Sequence, residues 1–463
     1  MIYSNSYLFS QIKYFLLMKK YRGYFIDKNH CILPLIIILL SILFSCKQKN
    51  KTIAITNKDI STVITKMTDI MVHDITNPPL AARFFSYSCL AGFEVVSAND
   101  SKFKNMKGLL NGYPTIDRPV IIQPFSYQLS ALFAMMETAK KMQPSGNLME
   151  IFEANFIDSC INIGINPGLL TNSKNYAAVI SKQILKYAKA DGYNKISNIA
   201  RYAPTKTDGY WYPTPPGFLA AVEPNFNTVR SFTLDTCNQF KPVGPIVFNT
   251  QKASPFYLLM EAVYNEGNHL TTEHQNIAAF WDCNPFAMQD GGHLQYGFKK
   301  ISPGAHWLGI TGIACLKANK NFDEAMQIFT AVSIGLMDGF ICCWDEKYRS
   351  NRIRPETAIR KYIDPQWEPL LQTPPFPEYL SGHSVISSAS AVILSRYLGN
   401  NFFYTDSVEV SYGLPARSFT SFNQAAEEAA ISRFYGGIHF MDAIENGQQQ
   451  GTKVGQWVMK KLN

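Results

Sequence analysis

The chain has 463 residues, of which 46% are apolar, 13% aromatic and 17% charged. That composition excludes an intrinsically disordered chain and supplies enough apolar surface for one large core or two smaller ones. The net charge of +8 lies largely near the N-terminus, where Lys19, Lys20, Arg22, Lys28, Lys47, Lys49 and Lys51 face Asp27 alone; the remaining body is nearer neutral, and no nucleic-acid partner is expected.

The first segment reads as an export signal. Residues Ile32 to Phe44 form a mostly apolar run, too short for a comfortable membrane span and preceded by basic residues. Leu43-Phe44-Ser45-Cys46 closes the run and resembles a bacterial lipobox, in which Cys46 would be acylated. Phe44 is bulky for that motif, and a simple membrane-anchor helix is the alternative. Met18-Lys19-Lys20 makes a more ordinary signal start than Met1. Residues 1–46 are therefore expected to be a signal peptide, leaving the protein lipid-anchored in the cell envelope and facing the periplasm or the cell surface.

Residues 47–202 are expected to be a helical region. Ile60–Ile75, Ala81–Val96, Phe125–Met142, Leu148–Ile161 and Asn175–Ala190 place apolar residues at three- and four-residue spacing. Asn77-Pro78-Pro79 and Gln143-Pro144-Ser145-Gly146 punctuate them. Residues 203–250 change character. Tyr210-Trp211-Tyr212-Pro213-Thr214-Pro215-Pro216-Gly217 and Glu223-Pro224-Asn225 favour an extended segment that wraps a surface. Over 251–463 helical spacing returns at Tyr257–Tyr264, Thr272–Phe280, Trp307–Ala318, Asp323–Asp345, Ser384–Tyr397 and Gln424–Arg433. Strand signals are scarce, so the expected class is all-α, two stacked helical bundles. Seven cysteines, Cys89, Cys160, Cys237, Cys283, Cys315, Cys342 and Cys343, follow the signal, without CxxC spacing and within apolar stretches. They read as buried small hydrophobes, and neither a disulfide framework nor a zinc site is expected.

Three segments of the last region combine unusual polar residues. In Lys347-Tyr-Arg-Ser-Asn-Arg-Ile-Arg354-Pro355, Lys347 and Arg354 are two helical turns apart and would share one face of a helix that the proline then stops or kinks. In Ser381-Gly382-His383, glycine permits close backbone approach and the following helix start offers free N–H groups to an anion. In Ser432-Arg433-Phe434-Tyr435-Gly436-Gly437-Ile438-His439, paired glycines permit a sharp bend between Arg433 and His439. Taken singly, these are a solvated helix end, a helix cap and a turn. Together, one lysine, two arginines, a serine, a glycine and two histidines complement an oxyanion, with guanidinium forks and backbone donors for its oxygens and an imidazole to move protons.

The order Lys-x6-Arg-Pro, Ser-Gly-His, Ser-Arg-x5-His resembles the type 2 phosphatidic acid phosphatase (PAP2) and vanadium haloperoxidase superfamily. Trp211-Tyr-Pro-Thr-Pro-Pro216, Ala279-Phe280-Trp281, Trp344-Asp-Glu-Lys347-Tyr348 and Phe376-Pro-Glu-Tyr379 resemble its bacterial exported haloperoxidases over residues 205–455. The resemblance implies a site in the C-terminal bundle in which His439 bonds vanadium or serves as phosphatase nucleophile. It implies that Lys347, Arg354 and Arg433 neutralise the equatorial oxygens, that Ser381 and Gly382 donate to them, and that His383 is the acid–base. Trp344 and Phe376 would line a halide pocket, and Asp282 would pair with Arg433. Leu380 stands where proline is usual, and Ala443 stands where phosphatases carry an orienting aspartate, which moves that role to Asp442 or a backbone carbonyl. The implied activity is a haloperoxidase using vanadate, hydrogen peroxide, a halide and an organic acceptor. The alternative is an exported acid phosphatase, needing no cofactor, that cleaves a phosphoester through a phosphohistidine. A vestigial site on a binding lipoprotein is the third reading.

Overall fold

The computed structural model describes residues 54–205, 207–290, 295–297 and 300–462; the signal segment with Cys46 lies outside them. Serine, threonine and asparagine caps, several followed by proline, start most helices. Asn77 caps α2 (Pro78–Asn99) by accepting from the Leu80 N–H at 2.9 Å, and Ser302 caps α8 (Pro303–Lys317) by accepting from Ala305. In each case proline takes the first helical position, where its missing N–H leaves no bond unmade. Asn321 and Glu324 form a capping box at the start of α9 (Phe322–Ser350).

The N-terminal bundle comprises α1 (Asn57–His73), α2, α3 (Tyr127–Met142), α4 (Gly146–Asn162) and α5 (Pro167–Lys189). After the wrapping segment come α6 (Pro255–Asn268), α7 (Thr272–Phe280), α8 and α9. The rest comprises α10 (Pro355–Tyr362), α11 (Gly382–Leu398), α12 (Phe422–Tyr435) and α13 (Met441–Leu462). The described residues also hold 3-10 helices at Tyr193–Asn198, Phe226–Thr228 and Val408–Tyr412 and two short antiparallel pairs: β1 (Met288–Asp290) with β2 (Gln295–Gly297), and β3 (Tyr404–Asp406) with β4 (Arg417–Phe419). The class is all-α.

Helix α9 is the central member. It packs on α2 of the first bundle and on α8, α11 and α13 of the second, and one continuous apolar core runs through both. By length and composition α9 could cross a membrane, but 94% of its most apolar window is buried within the protein. The wrapping segment is tied to α9 by Asp338, whose carboxylate accepts from the N–H groups of Phe232 (2.7 Å) and Thr233 (2.8 Å) and from the Thr233 hydroxyl (2.6 Å). Further along, Trp211 N–H donates to the Asn351 carbonyl and Ile353 N–H to the Gly209 carbonyl, which fixes the segment carrying Arg352 and Arg354.

Three departures from the sequence expectations concern this region. Lys347 and Arg354 do not share a helix face, because α9 stops at Ser350 and Asn351 turns the chain in a left-handed conformation (φ 49°). Pro355 does not end a helix but begins α10. Helix α13, absent from the expected elements, packs on α11 through Gly447, Gly451 and Gly455; an added Cβ on Gly451 would lie 2.0 Å from the Val385 carbonyl oxygen.

Candidate active site

Each key side chain is presented by a defined chain ending. Helix α12 closes in a Schellman turn: Ile438 N–H donates to the Arg433 carbonyl and Gly437 N–H to that of Phe434, with Gly437 at φ 72°. That turn reverses the chain and brings His439 back beside Arg433. Helix α11 begins at Gly382, with Ser381 as N-cap accepting from Ser384 N–H at 3.3 Å. Its first N–H groups lack intrahelical partners, and Gly382 and His383 line a cavity together with Arg433, His439, Trp344 and Phe376. Pro78, at the start of α2, also lines it, so the N-terminal bundle forms part of the wall. The cavity measures about 30 Å³, the space of a few small polar atoms.

His439 is buried and held from both sides. Its Nδ1 lies 2.8 Å from Glu378 Oε1, which also accepts from the Phe440 N–H at 3.0 Å. Its Nε2 lies 3.1 Å from Arg354 Nη1. With Nδ1–H donated to the carboxylate, the Nε2 lone pair faces the guanidinium. Burial and the neighbouring Arg354 and Lys347 charges hold this imidazole well below its usual pKa, so it is neutral at pH 7. The acid that orients it is Glu378, not Asp442. Asp442 instead binds Arg352 at 2.5 and 2.7 Å, and Arg352 in turn donates to Glu378 Oε2 at 2.6 Å.

The cations converge and outnumber the acids beside them. Arg354 donates to the carbonyls of Phe376 and Ile438, both at 2.9 Å, while its Nη2 has no partner; burial pushes its pKa down to about 9. Arg433 donates to the Trp281 carbonyl at 2.8 Å and lies 4.0 Å from Asp282, with Nε unpartnered. Asp282 also pairs with Lys300. Lys347 has all three ammonium protons directed at carbonyls, those of Pro377 (3.0 Å), Glu378 (3.1 Å) and Leu380. It is absent from the cavity lining, and burial pushes its pKa down to about 7. Against Lys347, Arg352, Arg354 and Arg433 stand Glu378, Asp442 and the shared Asp282, an excess of positive charge that an anion would relieve.

His383 hydrogen-bonds the Trp281 backbone, and its Nε2 is buried with no partner. Burial and Arg433 hold its pKa well below the usual range, so the free nitrogen is a lone pair and not a donor. Trp344 and Phe376 also line the cavity and pack at 5.0 Å between ring centroids, and the Trp344 indole N–H is tied to the Val222 carbonyl at 3.1 Å.

A family model described as the VCPO second helical-bundle domain matches residues 327–463, the span from α9 to α13. Among solved structures, a bacterial vanadium-dependent iodoperoxidase is 42% identical, with a TM-score of 0.84 over 90% of this chain and 98% of that one. The chain belongs to the vanadium-dependent haloperoxidases. Two structures of a bacterial vanadium-dependent chloroperoxidase, holo-type and apo-type, share the fold at 15% identity, with TM-scores of 0.63 and 0.62. Each aligns over 84% of this chain and over 93% and 96% of its own. No curated protein matches the sequence. Within this haloperoxidase, sequence spacing did not reveal the role of Glu378, which stands 61 residues from His439. Its only signal was its place in Phe376-Pro-Glu-Tyr379.

Proposed function

We propose that this haloperoxidase oxidises a halide with hydrogen peroxide on a vanadate held at His439. The observation that carries the reading is the buried His439 Nε2, its tautomer set by Glu378, in a cavity that Arg433 and His383 line with unpartnered Nε and Nε2 atoms, and beside Arg354, whose Nη2 is also unpartnered. These residues fit the group: a neutral imidazole to bond the metal, guanidinium protons for its oxygens, and the α11 N-terminus at Gly382 to supply backbone donors. When bound, vanadate would supply the Lewis-acidic centre that activates peroxide.

The remaining steps fall to the chain's own residues. Arg354 and Arg433 hold the oxyanion and draw charge from it. Lys347, its protons already given to carbonyls, contributes by its charge from beneath the Phe376 ring, 4.9 Å from the ring centre. Ser381 fixes the start of α11 and the position of Gly382. His383 Nε2, neutral and unpartnered, takes a proton from incoming peroxide and passes it to the hydroxide that then leaves as water. Trp344 and Phe376 provide an apolar wall that strips water from the halide. The organic acceptor would be halogenated outside this narrow cavity, by a small oxidised halogen species. Iodide is the halide of first choice, from the likeness to the iodoperoxidase. We also propose export and lipid anchoring at Cys46, supported by the apolar run and lipobox-like tetrapeptide that precede it.

The test is peroxide-dependent oxidation of iodide, and halogenation of monochlorodimedone with bromide or chloride, with and without added vanadate. Activity that requires vanadate and disappears in His439→Ala is expected. Absence of halide oxidation, with phosphoester hydrolysis that vanadate inhibits, would overturn the reading in favour of the phosphatase.

A further inference from the structure

Behind the oxyanion site lies a second polar cluster that the proposed chemistry does not use. Cys283 follows α7, His306 sits in the first turn of α8, and Glu409 lies on the short 3-10 helix Val408–Tyr412; all three are buried. His306 Nδ1 stands 3.4 Å from Cys283 Sγ and 3.3 Å from Glu409 Oε1, and the third edge, Sγ to Oε1, is 3.7 Å. A tetrahedral zinc ion with bonds of about 2.3 Å to sulfur and about 2.0–2.1 Å to nitrogen and oxygen gives edges of about 3.5 Å to sulfur and about 3.3 Å between nitrogen and oxygen. The observed triangle therefore has the dimensions of three corners of such a site. The other imidazole nitrogen, Nε2, is held by Asp406 at 2.8 Å, the carboxylate–histidine arrangement that orients a metal-binding ring.

We propose that Cys283, His306 and Glu409 bind a divalent zinc-class cation, with Asp406 orienting His306. Thiolate, carboxylate and neutral imidazole balance the two positive charges, and binding would release the Cys283 thiol proton and the His306 Nδ1 proton to solvent. The mixed sulfur, nitrogen and oxygen set selects zinc over harder ions such as magnesium or calcium. Water would take the fourth position. Glu409 lines an outer cleft with Asp282 and Lys300, which gives the ion a route of entry, while Cys283 faces the active-site cavity.

The ion would also brace the oxyanion seat. The Trp281 ring stacks on His306 with centroids 4.6 Å apart, and the Trp281 carbonyl receives Arg433 Nη1 at 2.8 Å. The alternative is an ion-free cluster in which a His306 imidazolium bridges Asp406 and Glu409 beside a Cys283 thiol.

The full chain purified without added vanadate would be assayed for bound metal, stripped with chelator, and titrated with zinc and with cobalt(II). One equivalent of zinc is expected, with a thiolate-to-cobalt charge-transfer band and the visible spectrum of tetrahedral cobalt. Cys283→Ala and Glu409→Gln should each lose stoichiometric binding, and Asp406→Asn should weaken it about 10- to 100-fold. His439→Ala should bind zinc normally, which separates this site from the vanadate site. Glu409→Gln preserves shape and keeps the test valid should Cys283→Ala fold poorly. No stoichiometric zinc, or a cobalt band that survives both substitutions, would overturn the proposal.

Discussion

Glu378 does two things with one carboxylate. Oε1 fixes the His439 ring and the Phe440 backbone, and Oε2 neutralises the buried Arg352. Glu378→Gln should therefore lower vanadate affinity by about 10- to 100-fold while leaving the fold intact, measured by vanadate titration and circular dichroism. Lys347 gives a pH-dependent counterpart. Burial holds its pKa at about 7 in the anion-free protein, whereas a bound anion favours the charged ammonium and raises it. Binding then takes up a proton above pH 7, and affinity should fall by up to about tenfold per pH unit there. Vanadate's own protonation is common to wild type and Lys347→Met, so the affinity ratio between them isolates the lysine. The wild-type advantage should shrink as pH rises through 7, and a constant ratio would show that Lys347 does not titrate with binding. At this scale the sequence singled out Gly382, His383, Arg433 and His439, which the fold brings to one cavity. Their partners were not: the lysine's three carbonyls and the Arg352–Asp442 pair arise only when the end of α9, the 376–380 loop and the α13 start meet.

Helices α11 and α13 approach each other at the glycines, and that approach sets where Ser381, Gly382 and His383 stand. Ser381 N–H donates to the Ala443 carbonyl, and an added Cβ on Gly447 would lie 3.0 Å from the Ser381 carbonyl oxygen. In Gly451→Ala the new methyl group meets the Val385 carbonyl, so the helices must separate. A loss of about 1–3 kcal/mol in thermal or urea unfolding is expected, together with weaker vanadate binding. Helix α7 was legible to the residue from its spacing, and most of the remaining long helices to within a few residues. Helix α13 was not, because its contact face is glycine and its visible pattern is polar. Helix α10 was hidden by reading Pro355 as a stop when its fixed φ suits a start. The left-handed Asn351 that separates Lys347 from Arg354 is a local conformation that spacing alone does not encode.

At the scale of the molecule, the two bundles act as one support. Pro78 from the first bundle reaches the cavity, and the wrapping segment is pinned to the shared helix α9 by Asp338. Asp338→Ala leaves the Phe232 and Thr233 N–H groups buried without acceptors, so stability should fall by on the order of 3 kcal/mol, seen as a lower urea midpoint. A change within experimental error would mean that the segment is held by its aromatic contacts alone. The all-α class followed from periodicity, and the proline content of residues 203–250 marked a segment without long helices. That the segment also positions Arg352 and Arg354, through Gly209 and Trp211, depends on contacts more than a hundred residues apart.

The central claim is that the His439 Nε2 lone pair, set by Glu378, is the attachment point for vanadate. Isothermal titration of vanadate into the purified wild-type protein and His439→Ala at neutral pH tests it most directly. One tight site in the wild type, lost in the variant while its unfolding transition is unchanged, is the predicted result. Equal affinity in both proteins would contradict the account and leave the surrounding cations as a general anion seat without a bond to His439.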